Sequence, residues 1–287
     1  MEVRAGLSSP CSAISTASSK TISSWSIGIS AVQAVRSIRR RIHIAQHVAD
    51  LDAVVDHLRQ SLGQDKIILI GHSWGAALGL LYGQAHPDKL SAFIGVNLVV
   101  STREGQQAQY NFVLAEASRR KDGKALARLR KIGAPPYKKV GQLIAMEALV
   151  DRYGGVFHRK PRRMWIVVRG IFSGLVTPRE IWRIHRGIHV SLEAMSEELL
   201  GLDLARSVPS VDVPILFFLG RYDRHVDAKL AAAYFEELQA PVKRLIWFEK
   251  SAHNMPFEEP GLFNGTVVRE LQSIGIRLAA DEGMQRK

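Results

Sequence analysis

One stretch constrains the fold more than any other: Lys66-Ile-Ile-Leu-Ile70, then Gly71-His-Ser-Trp-Gly75, then a run of small residues from Ala76 to Ala85 stopped by Pro87. The apolar, β-branched run predicts a buried strand, and the small-residue run predicts a helix packed closely against it. Between them G-x-S-x-G forms a sharp turn. That pattern arises often by chance, but between a buried strand and a helix it has the context of a nucleophile elbow. A side chain at Gly71 or Gly75 is expected to collide with the neighbouring helix or strand. Ser73 is expected to sit in a strained conformation with its hydroxyl exposed, where the helix N-terminus favours developing negative charge. The alternative is a Gly-Ser turn without chemistry.

The rest of the chain repeats this strand–helix alternation. Val48, Leu51, Val54, Val55 and Leu58 share one helical face closed by Gly63. Further strands are predicted at Ala92–Val100, Pro214–Leu219 and Arg244–Phe248, and helices at Ala228–Leu238 and Pro260–Ile274. Residues 101–205 read as charged helices without a clear strand. The expectation is an α/β fold with a mostly parallel sheet, a core at 45–100 and 206–280, and an inserted helical cap at 101–205.

Composition narrows the class. The chain has 287 residues, 46% of them apolar, enough for one large domain or one domain carrying an insertion. Its single cysteine, Cys11, excludes an internal disulfide framework and a cysteine-rich zinc module. No apolar run reaches bilayer-spanning length. The formal net charge is +12. Part of it lies in a basic patch from Arg159 to Arg169 that continues through Arg179, Arg183 and Arg186; without a nucleic-acid motif, it reads as a solvated helical surface. No nucleic-acid or membrane partner is expected. The lack of a secretory signal and the solitary cysteine favour the cytoplasm, and the oligomeric state stays open.

A serine hydroxyl needs a base to take its proton, and the base needs an orienting carboxylate. In this architecture the expected chain order is Ser, acid, His. Gly220-Arg-Tyr-Asp223-Arg-His-Val-Asp227 follows one strand, and Ser251-Ala-His253-Asn-Met-Pro256 follows the next. Asp223 lies just past the strand end and is the candidate acid; Asp227 reads as the N-cap of the following helix. His253 is the candidate base. His72 is expected to pack the elbow and His225 to lie on the surface. The backbone N–H of Trp74 is one candidate oxyanion donor. No metal or organic cofactor is required.

The segment from Asp65 to Ala76, the G-R-Y-D run and S-A-H-N-M-P-F-E-E-P resemble the α/β-hydrolase superfamily over about residues 44–275, most of all its proline iminopeptidase-type members. The resemblance implies a serine hydrolase that releases an N-terminal residue, preferentially proline, from a peptide. A cap acid (Glu104, Glu116, Glu147 or Glu193) would bind the free amine. Relatives with similar motifs cleave other small esters and amides, and a catalytically inactive binding protein is a further alternative.

That resemblance also implies an H-G-G-P-G run and a D-Q-R-G-x-G-x-S run, neither of which is in this chain. Residues 1–44 instead carry eleven serines, six basic residues and one acid, Glu2. Shifting the reading frame by one nucleotide, with permissible codons, turns Met1–Ala5 into H-G-G-P-G and Gly28–Arg36 into W-D-Q-R-G-A-G-R-S. A frameshift is therefore the expected origin of this segment, with a transit peptide or a disordered tail as the alternatives. The chain as written is then expected to lack one oxyanion donor and the strands beside Lys66–Ile70, and so to be unstable or nearly inactive.

Overall fold

The computed structural model describes residues 43–158 and 177–276, with Val168 and Phe172 between them. The basic run from Arg159 to Arg169 and the segment to which the frameshift expectation applies, up to residue 42, lie outside the described residues. Chain order is α1 (Ile44–Leu62), β1 (Ile67–His72), α2 (Trp74–Ala85), β2 (Leu90–Val96), α3 (Thr102–Arg119), α4 (Gly123–Ile132), α5 (Val140–Arg152), α6 (Pro178–Ala194), α7 (Ser196–Leu200), α8 (Leu204–Ser207), β3 (Ile215–Gly220), α9 (Ala228–Glu237), β4 (Lys243–Phe248), α10 (Met255–Glu258) and α11 (Pro260–Ser273). The four strands form one parallel sheet in the order β1-β2-β3-β4.

Strand periodicity sends alternate side chains into two layers. Phe93, Ile215, Phe217 and Leu219 face one core with Val55 of α1, Leu80 of α2 and Tyr234 of α9. Ile94, Val96, Leu216 and Phe218 face the other, against Phe263 and Leu271 of α11. All six residues of β3 are buried, which makes it central, whereas β1 and β4 are mostly half-buried and form the edges among the described residues. The helices α3, α4 and α5 share a separate core built on Val113, Leu129, Met146 and Val150. Helix starts carry the caps their sequences offer: Ser101 accepts from the Glu104 N–H, Asp122 from the Ala125 N–H, and Thr177 forms a capping box with Glu180. Arg179, Arg183 and Arg186 are exposed on α6. Among the described residues no helix is long and apolar enough to cross a membrane.

Two sequence expectations need correction here. The strand expected to run to Val100 ends at Val96, because Asn97 turns to φ 45° and leaves the ladder. Of the two elbow glycines only Gly71 is crowded: a Cβ there would meet the Gly75 carbonyl oxygen and would lie 2.6 Å from the Ala76 Cα, whereas a Cβ on Gly75 meets nothing within 4 Å. The crowding at Gly71 is with backbone, which has no rotamer to yield. Gly71→Ala is therefore expected to destabilise by about 1–3 kcal/mol. Gly75→Ala, in the first turn of α2, should be neutral to slightly stabilising through helix propensity. Urea unfolding of the two variants checks the contrast.

Candidate active site

Ser73 occupies the single residue between β1 and α2 and has φ 58° and ψ −123°. A non-glycine residue there is strained, and the surrounding bonds hold it in place. Its N–H donates to the Val96 carbonyl at 2.9 Å, and its own carbonyl accepts from the N–H groups of Ala76 and Ala77. This turn thrusts the Cβ of Ser73 out at the C-terminal end of the sheet, at the N-terminus of α2. The Trp74 N–H is one of the first N–H groups of that helix, which have no acceptor inside the helix.

Asp223 lies in the turn after β3 and is completely buried. One carboxylate oxygen accepts from the backbone N–H groups of His225 (2.8 Å) and Val226 (3.2 Å). The other lies 2.9 Å from Nδ1 of His253, which is itself 5% exposed. With Asp223 ionised, Nδ1 carries the proton and Nε2 is the nitrogen able to accept one. Burial pushes the Asp223 carboxyl up to about 6, against the opposing pull of the nearby His225 ring and of its backbone hydrogen bonds. The loop bearing His253 follows β4 and is tied down by Glu258, which accepts from the Ala252 N–H at 2.9 Å. Gly220 permits the close approach of these two loops: a Cβ on it would lie 2.8 Å from the Ala252 carbonyl carbon.

The structure thus brings Asp223 and His253 together, and it places Ser73 at the end of another strand of the same sheet. Asp227 caps α9, accepting from the Lys229 N–H at 3.0 Å. His225, expected on the surface, instead packs edge-on against the His253 ring with centroids 4.5 Å apart. The turn that lets the Asp223 carboxylate accept from the His225 N–H folds residue 225 back over the site. His72 packs the elbow as expected and does more: its Nε2 donates to the His253 carbonyl at 2.8 Å, and its ring lies 4.7 Å from the His253 ring. Burial, helped by the charge of a nearby His253, lowers His72 to about 3, so it is neutral near pH 7.

Asn97 escaped the sequence reading altogether. It is fully buried, and its side chain donates from Nδ2 to the carbonyls of Ala252 (3.0 Å) and His253 (2.8 Å) while Oδ1 accepts from the Gly220 N–H (2.8 Å). The available signal was a polar amide inside the apolar run Ile94-Gly-Val-Asn-Leu-Val-Val100. Of the four cap acids, Glu116 is held by Arg119 and Arg120. Glu104 and Glu193 are exposed and Glu147 is half-buried. Among the described residues no cluster of His, Cys, Asp and Glu could hold a metal ion.

The alpha/beta hydrolase fold family matches residues 17–260. The chain is 32% identical over 228 residues to a probable aminopeptidase, YbaC, of Bacillus subtilis (strain 168), covering 79% of this chain and 71% of that protein. It is 24% identical over 225 residues to the AB hydrolase superfamily protein YclE of the same organism, with 75% and 72% covered. Among solved structures, the proline iminopeptidase of Mycobacterium smegmatis superposes with a TM-score of 0.54 at 16% identity, over 79% of this chain and 70% of that one, which is a likeness of fold. A parallel sheet that turns from β1 into α2 through a strained serine, matched over most of its length by this family, makes the chain a member of the alpha/beta hydrolase fold family.

Proposed function

We propose that the protein is a serine hydrolase acting through Ser73, His253 and Asp223, and that its substrates are peptides from which it releases the N-terminal residue. The buried Asp223–His253 pair at 2.9 Å carries this reading, because a histidine oriented by a carboxylate has little structural use at the mouth of a sheet. In the proposed cycle, Nε2 of His253 takes the Ser73 proton as Oγ attacks the scissile carbonyl. The tetrahedral oxyanion faces the Trp74 N–H. The C–N bond then breaks, His253 gives its proton to the departing amine, and an acyl-enzyme remains on Ser73. A water deprotonated by His253 hydrolyses that ester, releasing the amino acid and restoring the serine. Asp223 holds the imidazole tautomer and offsets its charge while the proton is in transit.

The aminopeptidase part rests on the relative that is 32% identical. It requires a carboxylate for the substrate's ammonium group, for which the cap offers Glu104, Glu116, Glu147 and Glu193. Purified protein offered the 4-nitroanilides of proline and alanine, their N-acetylated forms and 4-nitrophenyl acetate is expected to release nitroaniline only where the amine is free, and slowly, because the Trp74 N–H is the one oxyanion donor assigned. Turnover of the ester alone would retain the hydrolase and discard the aminopeptidase. Silence on every substrate, together with no labelling by a fluorophosphonate, would point to a binding protein built on the same fold or to a broken fold.

A further inference from the structure

We propose that Asn97 is a positioning residue: its side-chain amide fixes the backbone of the His253 loop against the end of β3, and so sets where the His253 imidazole stands relative to Ser73. This role rests on the serine-hydrolase reading above. Both donors and the acceptor of the amide are used, two on the consecutive carbonyls of Ala252 and His253 and one on Gly220. The Gly220 carbonyl in turn accepts from the Asp223 N–H at 3.0 Å. One step back in the chain, the Val96 carbonyl holds the Ser73 N–H, and the Asn97 N–H itself donates to the Phe218 carbonyl. Two adjacent residues at the end of β2 therefore contact the segments carrying all three proposed catalytic side chains.

The residue type fits the task. Position 97 has φ 45°, a conformation asparagine adopts more readily than most side chains. An aspartate would set a carboxylate against two carbonyl oxygens, and an aliphatic residue would leave the Gly220 N–H and two buried carbonyls without this partner. The His253 carbonyl also accepts from His72 Nε2, so the backbone of the histidine is gripped from β1 and from β2 at once. Displacing a general base by about 1 Å can cost on the order of 100-fold in rate.

The test compares Asn97→Gly, which tolerates the positive φ and removes the amide, with Asn97→Asp, which keeps the acceptor for Gly220 and the side-chain volume but loses the donors. Fluorophosphonate labelling of Ser73, kcat and KM on the best substrate, and hydrogen exchange over residues 249–256 are measured for each. Both variants are expected to lose about 100-fold in kcat and labelling rate with KM within about threefold. Exchange across 249–256 should rise about tenfold or more while β1 keeps its protection. A folded variant with wild-type labelling and exchange overturns the role, as does lost labelling with unchanged exchange. If Asn97→Gly does not fold, Asn97→Asp decides. If neither folds, the residue serves the fold and not the placement of His253. Increased exchange in the variants of a protein whose wild type never labels would leave the clamp standing and remove the hydrolase reading instead.

Discussion

Ser73→Ala is expected to abolish labelling by a serine-directed fluorophosphonate and to lower kcat by about 10⁶-fold, with little change in the urea unfolding midpoint. The loss is large because every bond-making step of the proposed cycle passes through Oγ. The small change in stability follows from the local structure. Ser73 is the N-cap of α2, yet its side chain makes no capping hydrogen bond, so removing the hydroxyl removes no cap. The strain at φ 58° is paid by serine and alanine alike, since both carry a Cβ. Labelling that survives in Ser73→Ala would place the nucleophile elsewhere.

Asp223→Asn is expected to fold and to lose about 10⁴-fold in kcat. The reason lies in the two backbone donors on one carboxylate oxygen: the N–H groups of His225 and Val226 require an acceptor there, so the asparagine carbonyl must occupy that place. Its NH₂ group then faces Nδ1 of His253. That nitrogen becomes the acceptor, the ring proton moves to Nε2, and the base is lost without any change in shape. In the wild type, kcat/KM should fall as pH drops through about 6, where the buried carboxyl gains its proton and the pair titrates as a unit. Stability has a different pH signature. Asp223 is raised above its ordinary 3.8, so its contribution is full below about 4 and is lost as pH rises through about 6. His72 is depressed from 6.5, so its contribution is full above 6.5 and is lost as pH falls toward about 3. Between pH 4 and 6 the two oppose each other. Asp223→Asn removes one of them, and urea midpoints from pH 7 to 4 should fall more steeply for the variant than for the wild type.

The elements nearest the chemistry were the most legible in the sequence. Pro214–Leu219 is a continuous apolar run closed by Gly220, and a strand buried on both faces leaves that trace. Lys66–Ile70 leaves the same trace and is a strand, but it lies half-buried at the edge of the described sheet and not buried as its sequence predicts. Asp223 and His253 could be located because each lies in the loop after a strand, Asp223 after the buried β3 and His253 after the half-buried edge strand β4, and the structure sets them side by side. Asn97 and His225 could not, since their roles depend on loops far away in the chain, at Gly220, Ala252 and His253. Neither a strand pattern nor a motif encodes a hydrogen bond across 155 residues. Gly75 differs from its sequence expectation for a related reason: a Cβ there meets nothing within 4 Å, and crowding is a property of the packed tertiary structure.

The parallel pairing of β2 with β3, with α3 to α8 falling between them in the chain, also bears on how the protein is made. As the polypeptide leaves the ribosome, β1, α2 and β2 can associate early through neighbouring sequence. The second edge of β2, with Phe93 and Ile94, must then wait for the whole helical segment to be synthesised before β3 arrives to cover it. Loop closure over that distance is slow, and an uncovered apolar edge invites pairing with other chains. Yield in a cell should therefore depend on translation speed and chaperone supply through the stretch from Thr102 to Val213.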